Sequence, residues 1–126
     1  MPRVHVALVF LGGGLGAALR FAIAGAVQAR VGPAFPWGTF AVNALGCFAI
    51  GILATSFQER SSASVGAQMF WIPGVLGGFT TFSAFGLETF RLLEGAQWAA
   101  AFGNAVGSVV VCVAAVALGV AVGRAT

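Results

Sequence analysis

The stretch MFWIPGVLGGFTTFSAFGLETFRLL, Met69 to Leu93, is long and apolar enough to cross a bilayer, which takes about 20 residues in a helix. Its middle, however, is built against a helix. Gly77-Gly78 carry a large backbone entropy cost, and Thr80, Thr81 and Ser83 combine restricted χ1 angles with side chains that compete for backbone hydrogen bonds. The composition predicts a helix that breaks at about Gly77 to Thr80. Broken backbone at membrane depth persists only where protein or a water-filled cavity satisfies the freed groups. The freed carbonyls are ready ligands for a hard cation such as Na⁺.

Working outward, three more apolar runs of similar length flank this one. They run from about Val4 to Val27, from Trp37 to Phe57 and from Trp98 to Val122, separated by the Arg30 to Pro36 turn, by Gln58-Glu59-Arg60-Ser61-Ser62 and by a short connection after Leu93. The chain has 126 residues, is 60% hydrophobic and is 7% charged, against roughly 25% charged in an ordinary soluble domain. With no Lys, Asp or Tyr, no helix can present the polar face that a soluble surface requires. The expectation is an all-α integral membrane protein, one domain of four transmembrane helices over residues 1–126. The spans fall at about 4–27, 37–57, 69–93 and 98–122, with the third helix broken mid-membrane and no extramembrane domain. Trp37, Trp71 and Trp98 stand at the expected span starts, where an indole anchors at the headgroups. The first run is too long for the apolar core of a cleaved signal and reads as a retained span.

The charge pattern bears on topology. Arg3, Arg60 and Arg124 fall on one side of a four-span chain, and Arg30 and Arg91 on the other. An excess of one Arg is too small for the positive-inside bias to fix one orientation. Copies inserted both ways would pair as an antiparallel dimer about a two-fold axis in the membrane plane. Helix association in lipid rests on small residues, and Gly12/Gly16, Gly74/Gly78, Gly103/Gly107 and Gly119/Gly123 all have the required spacing.

Polar residues within spans mark candidate functional positions. Arg20 shares a helix face with Gly16, and no acid in its span neutralises it, so an anion is its natural guest. Thr39, Asn43 and Cys47 form one stripe at i, i+4 and i+8, and Asn104, Ser108 and Cys112 form another. Asn43 brings two amide donors into apolar surroundings. Phe82 and Phe85 fall beside Thr81 and Ser83, and the electropositive edge of an aromatic ring solvates an anion without offering a site for a proton.

Other chemistries are excluded. Gly12-Gly13-Gly14-Leu15-Gly16-Ala17 satisfies a dinucleotide-binding pattern formally, but it lies inside a span and no acid occurs before Glu59. His5 is the only histidine, no ligands recur at metal-site spacing, and the six Arg are scattered rather than clustered as in a nucleic-acid binder. Cys47 and Cys112, inside apolar runs, read as small hydrophobes rather than as a disulfide. No residue set supports an enzyme.

The motifs Gly12 to Arg20, Trp37-Gly38-Thr39-Phe40-Ala41-Val42-Asn43 and Gly77 to Phe85 with Glu88 resemble those of the Fluc (CrcB) family of fluoride channels, over the whole chain length. The resemblance implies a dual-topology antiparallel homodimer with two pores that passes fluoride passively and selectively over chloride. It also implies residue roles. Phe82 and Phe85 resemble the family's phenylalanine box, Asn43 its pore-lining asparagine, Arg20 its vestibule arginine, and Thr39 with Ser108 its hydroxyl track, with Thr81 beside the rings. The carbonyls of Gly77 and Thr80 from both subunits would hold a central structural Na⁺. Asn104 and Cys112 stand where the resemblance calls for an aromatic hydroxyl and a serine-like group. The resulting expectation is a fluoride exporter of a bacterial plasma membrane. The rival is a small dual-topology multidrug-type exporter, which calls for an acid deep in the first span where this chain has Arg20.

Overall fold

The computed structural model describes residues 2–59 and 63–126, so Arg60-Ser61-Ser62 of the second turn, with the Arg60 side assignment, lie outside the described residues. Four helical stretches are long and apolar enough to cross a membrane: Arg3–Val31, Trp37–Glu59, Val65–Glu94 and Trp98–Ala125. All four end beyond the expected spans, and the first and third also begin before them, because the apolar pattern tolerates polar end residues for a turn. No strand occurs among the described residues.

Helix α1 (Arg3–Val31) ends on Gly32 at φ +83°, a left-handed position that glycine occupies without a Cβ penalty. Gln28 then organises the turn into α2 (Trp37–Glu59). Its amide nitrogen donates to the Gly32 and Phe35 carbonyls, the latter at 2.9 Å, and its Oε1 accepts from the Gly38 N–H at 3.0 Å. One side chain thereby satisfies three backbone groups that the turn leaves open.

The third span is a composite. A short α3 (Val65–Met69), capped by the Ser64 hydroxyl, leads into a π-helical turn over Phe70–Leu76 and a single turn α4 (Gly77–Phe79). Pro73 sits inside the π turn. It lacks an N–H and would clash with the carbonyl four residues back in a regular α-helix, and the wider turn accommodates it. Because the helix begins at Val65 rather than at Met69, Trp71 lies inside it and not at its start. The backbone is non-helical over Thr80–Phe82, with Thr80 extended at φ −90°, ψ 159°, and α5 (Ser83–Glu94) follows. The interruption falls after Gly77-Gly78, not at them.

Gly78 serves close approach instead, whereas a Cβ at Gly77 would make only ordinary contact. A Cβ at Gly78 would collide with the Gly13 carbonyl oxygen, and one at Gly16 with that of Val75. Helix α1 thus lies directly against the π turn and α4. Helices α2 and α6 (Trp98–Ala125) form the other close pair, where a Cβ at Gly51 or Gly119 would strike the facing backbone. Gly103 meets nothing within 4 Å, and Gly107 would make only ordinary contact with the Phe40 ring. That glycine pair therefore does not mediate a backbone contact within the chain, unlike the other three.

A Gly16→Ala substitution is expected to destabilise the fold by about 1–3 kcal/mol, since backbone cannot yield as a side chain does. Gly25→Ala on the same helix, where a Cβ would meet open space, is expected to stay within about 0.5 kcal/mol of the parent. Thermal unfolding of both in one detergent checks the difference.

Candidate functional site

The site is built around the interruption in the third span. Asn43, two turns into α2, reaches across to Thr81 with both ends of its carboxamide. Its Oδ1 accepts the Thr81 N–H at 2.7 Å and its Nδ2 donates to the Thr81 carbonyl at 2.9 Å. A helix passing through this point would need the Thr81 N–H for the Gly77 carbonyl. Asn43 takes it, and the helix opens.

Leu76 accepts from both the N–H and the hydroxyl of Thr80, each at 3.1 Å. Gly78 accepts from Arg20 Nε at 3.0 Å, so the guanidinium fastens α1 to α4, just ahead of the break. Thr81 accepts from Asn43. Thr81 Oγ1 takes the Ala84 N–H at 3.2 Å and so caps α5, leaving the Thr80 carbonyl without its helical donor. Among the described residues no protein donor reaches the carbonyls of Gly77, Phe79 or Thr80. Gly77 is exposed on the surface of the chain, whereas Phe79 is buried. Thr80 is extended, and Gly77 still lies in the last helical turn.

Two cavities meet at this point. One, of about 480 Å³, is lined by Asn43, Thr80, Thr81, Phe82, Phe85 and Ser108, among mainly apolar neighbours that include Gly77, Cys47 and Cys112. The other, of about 460 Å³, is lined by Arg20, Thr39, Thr81, Ala84 and Glu88. Thr81 lines both. The expected residues are therefore brought together in two groups: Thr39 keeps company with Arg20, while Asn43, one helical turn on, faces the phenylalanines. The Phe82 and Phe85 ring centroids lie 5.4 Å apart with planes tilted by 38°. Phe82, just before α5, is 82% exposed on the single chain, and Phe85 is half-buried.

Behind the rings runs a chain of side-chain hydrogen bonds that sequence reasoning did not assemble. Ser108 Oγ donates to Asn104 Oδ1 (3.3 Å), Asn104 Nδ2 donates to Thr89 Oγ1 (2.9 Å), and Thr89 donates to the Phe85 carbonyl (2.7 Å). Asn104, only 2% exposed, thus fixes the backbone that carries Phe85. Thr89 went unnoticed because a threonine near a span end carries no pattern of its own. Its spacing of four from Phe85 was the available signal. The structure also shows that the Arg20 cavity is not free of acid, because α5 brings Glu88 into it from another span. Glu88 Oε1 is buried there without a hydrogen-bond partner.

A family model described as "CrcB-like protein, Camphor Resistance (CrcB)" matches residues 7–120. The chain is 50% identical over 113 residues to a protein of Opitutus terrae named "Fluoride-specific ion channel FluC", covering 88% of this chain and 86% of the relative. Proteins with the same name from Magnetococcus marinus (44% identical over 121 residues, 96% and 98% covered) and Rhizobium meliloti (46% over 121 residues, 96% and 97%) are also similar.

Replacing Asn43 with Ala is expected to leave the Thr81 N–H and carbonyl unpaired together, at about 1–3 kcal/mol for each buried group. Amide exchange should accelerate in residues 80–84 well beyond any change in α1 or α6. Hydrogen–deuterium exchange of the purified variant measures this.

Proposed function

The chain belongs to the CrcB-like family, and from that premise we propose that it is a fluoride-selective ion channel of a bacterial plasma membrane, which lets fluoride out passively and thereby limits its toxicity. The observation that carries the reading is the cluster of Asn43, Thr81, Phe82, Phe85 and Ser108 around one cavity at a helix interruption, in a chain similar along its length to proteins named fluoride-specific channels. Channel function requires no enzyme chemistry. The multidrug-type alternative is not favoured, since α1 carries no acid and the relatives' names point to fluoride.

Fluoride is small, hard and strongly hydrated, so its path must replace water with donors. Arg20 supplies a fixed positive charge in the cavity it lines with Glu88, where Thr39 adds a hydroxyl. Thr81, common to both cavities, is the step between them. Asn43 Nδ2 holds the Thr81 carbonyl with one hydrogen and has a second to offer. Beyond it, the ring edges of Phe82 and Phe85 stabilise the anion through their positive rim, and Ser108 adds a hydroxyl that turns from Asn104 to the ion. A larger halide would fit the same spacing less closely and gain less from each donor.

Assembly belongs to the same proposal. Two copies inserted in opposite directions form an antiparallel homodimer in the lipid, each with its own pore. The carbonyls of Gly77 and Thr80 from both copies then hold a structural Na⁺ on the two-fold axis. The fit is that these carbonyls have lost their helical donors, and an uncompensated carbonyl in a membrane interior costs several kcal/mol. Bound Na⁺ would supply the missing positive charge.

In liposomes holding only this protein, fluoride efflux should be electrogenic and chloride efflux slight, and equal rates would refute the selectivity. Phe82→Ile and Phe85→Ile should each cut fluoride flux per assembled dimer strongly while leaving the size-exclusion profile unchanged. A volume-similar apolar exchange costs less than about 1.5 kcal/mol, so unaltered flux in both would overturn the ring-edge role. Terminal reporter fusions active on both sides of the membrane would support dual topology, and a single orientation would refute it.

A further inference from the structure

Cys47 on α2 and Cys112 on α6 line the same cavity as Asn43, Phe82 and Phe85. Both are free, half-buried thiols, and the helices that carry them pack directly against each other. Each stands one helical turn from a polar lining residue, Cys47 from Asn43 and Cys112 from Ser108. The two helices are locked together further along, where Gly51, one turn from Cys47, and Gly119, two turns from Cys112, bring backbone against backbone. The thiols are thus a pair held on rigid elements. The anion path as argued above uses neither.

We propose that Cys47 and Cys112 form a two-thiolate site for a soft, linearly coordinating divalent cation of the mercuric class, and that an ion held there obstructs the cavity beside Phe82 and Phe85. The obstruction rests on reading that cavity as the fluoride path, whereas the binding does not. Among the described residues no group of three or more His, Cys, Asp and Glu could hold a metal. A four-coordinate ion such as structural zinc is therefore not served, and an ion content with two sulfur ligands is. On binding, the two S–H bonds break and two S–Hg bonds form. Both protons leave to water and no electron is transferred. Two thiolates and one divalent ion leave no net charge, which matters because the lining is mostly apolar and a buried uncompensated charge is costly. A monovalent soft ion would leave a net negative charge and bind less well. With the second sulfur preplaced, its attachment is intramolecular and gains about 10²-fold or more over a single thiol.

The test uses the full chain, first in detergent without oxygen. With Hg²⁺ added stepwise, both thiols should disappear together at one ion per chain, with a sulfur-to-mercury absorption band growing in step. A competing monothiol should strip the ion from Cys47→Ser and Cys112→Ser at concentrations about 10²-fold below those the parent withstands. Alanine at the same positions repeats the test without a buried hydroxyl. In liposomes, with each protein compared to its own metal-free fluoride efflux, the parent should lose flux over the same one-equivalent range and recover with a chelating dithiol. The doubly substituted chain should keep its flux. Thiols that titrate independently to two equivalents, or single variants that hold the ion as tightly as the parent, would overturn the site. Tight one-equivalent binding with undiminished flux would overturn the obstruction. If no metal-free fluoride efflux occurs at all, the channel reading fails while the stoichiometry in detergent still decides the site.

Discussion

The pair of hydrogen bonds between the Asn43 carboxamide and the Thr81 backbone is the constraint on which the site depends. An unwound segment in an apolar span is unstable unless each N–H and carbonyl finds a partner. One amide side chain is the smallest group that can serve both at once. By taking the Thr81 N–H it ends α4, and by holding the Thr81 carbonyl it sets the course of Thr80–Phe82. Thr81 is then placed to cap α5 through its hydroxyl. The positions of Phe82 and Phe85 follow from that cap. A single contact from α2 therefore determines both where the third helix stops and where its second half aims its rings.

This contact works only because the rest of the fold keeps the break close to α1 and α2. Glycine contacts against the π turn and α4 hold α1 near enough for Arg20 to reach the Gly78 carbonyl. Arg20 thereby has a structural tie that fixes its charge in place. A long, flexible side chain that is hydrogen-bonded at Nε loses much of the freedom that would otherwise let it move out to the headgroups. On the far side, Asn104 of α6 restrains the backbone at Phe85 through Thr89 of α5. The rings are thus supported from two directions, and the donors lining the cavity are held in place before any ion arrives.

How much of this was legible in the sequence varies with the kind of information involved. Span number and approximate limits follow from apolar length, which is local. The break was expected one turn early, at Gly77 to Thr80, because glycine's entropy cost is visible in a sequence and the capture of one N–H by a residue 38 positions away is not. For the same reason Asn43 was legible as a donor in an apolar place but not as a clamp, and Arg20 as a charge but not as a latch. Glu88 could not be set against Arg20 from spacing, since the two lie on different spans and meet only through the fold. Thr39 and Asn43, one stripe on a helical wheel, face different cavities because the break lies between the spaces they line.

The outer surface of the chain is apolar almost everywhere, as lipid requires, and by itself says nothing about partners. Phe10, Phe21, Phe82 and Phe102 are all widely exposed on the single chain. Gly77 is different, because it is also at the surface and its carbonyl has lost its helical donor. Hydrocarbon cannot compensate that carbonyl, and water is absent from the bilayer core. A helix could have kept it satisfied at no cost, yet the Asn43 clamp forgoes that bond to create the site. In the proposed assembly the second copy covers this face and brings matching carbonyls, and one cation balances all of them. On that proposal the cation would let the chain keep an opened helix where lipid alone would close it, and pore formation and dimerisation would be the same structural event.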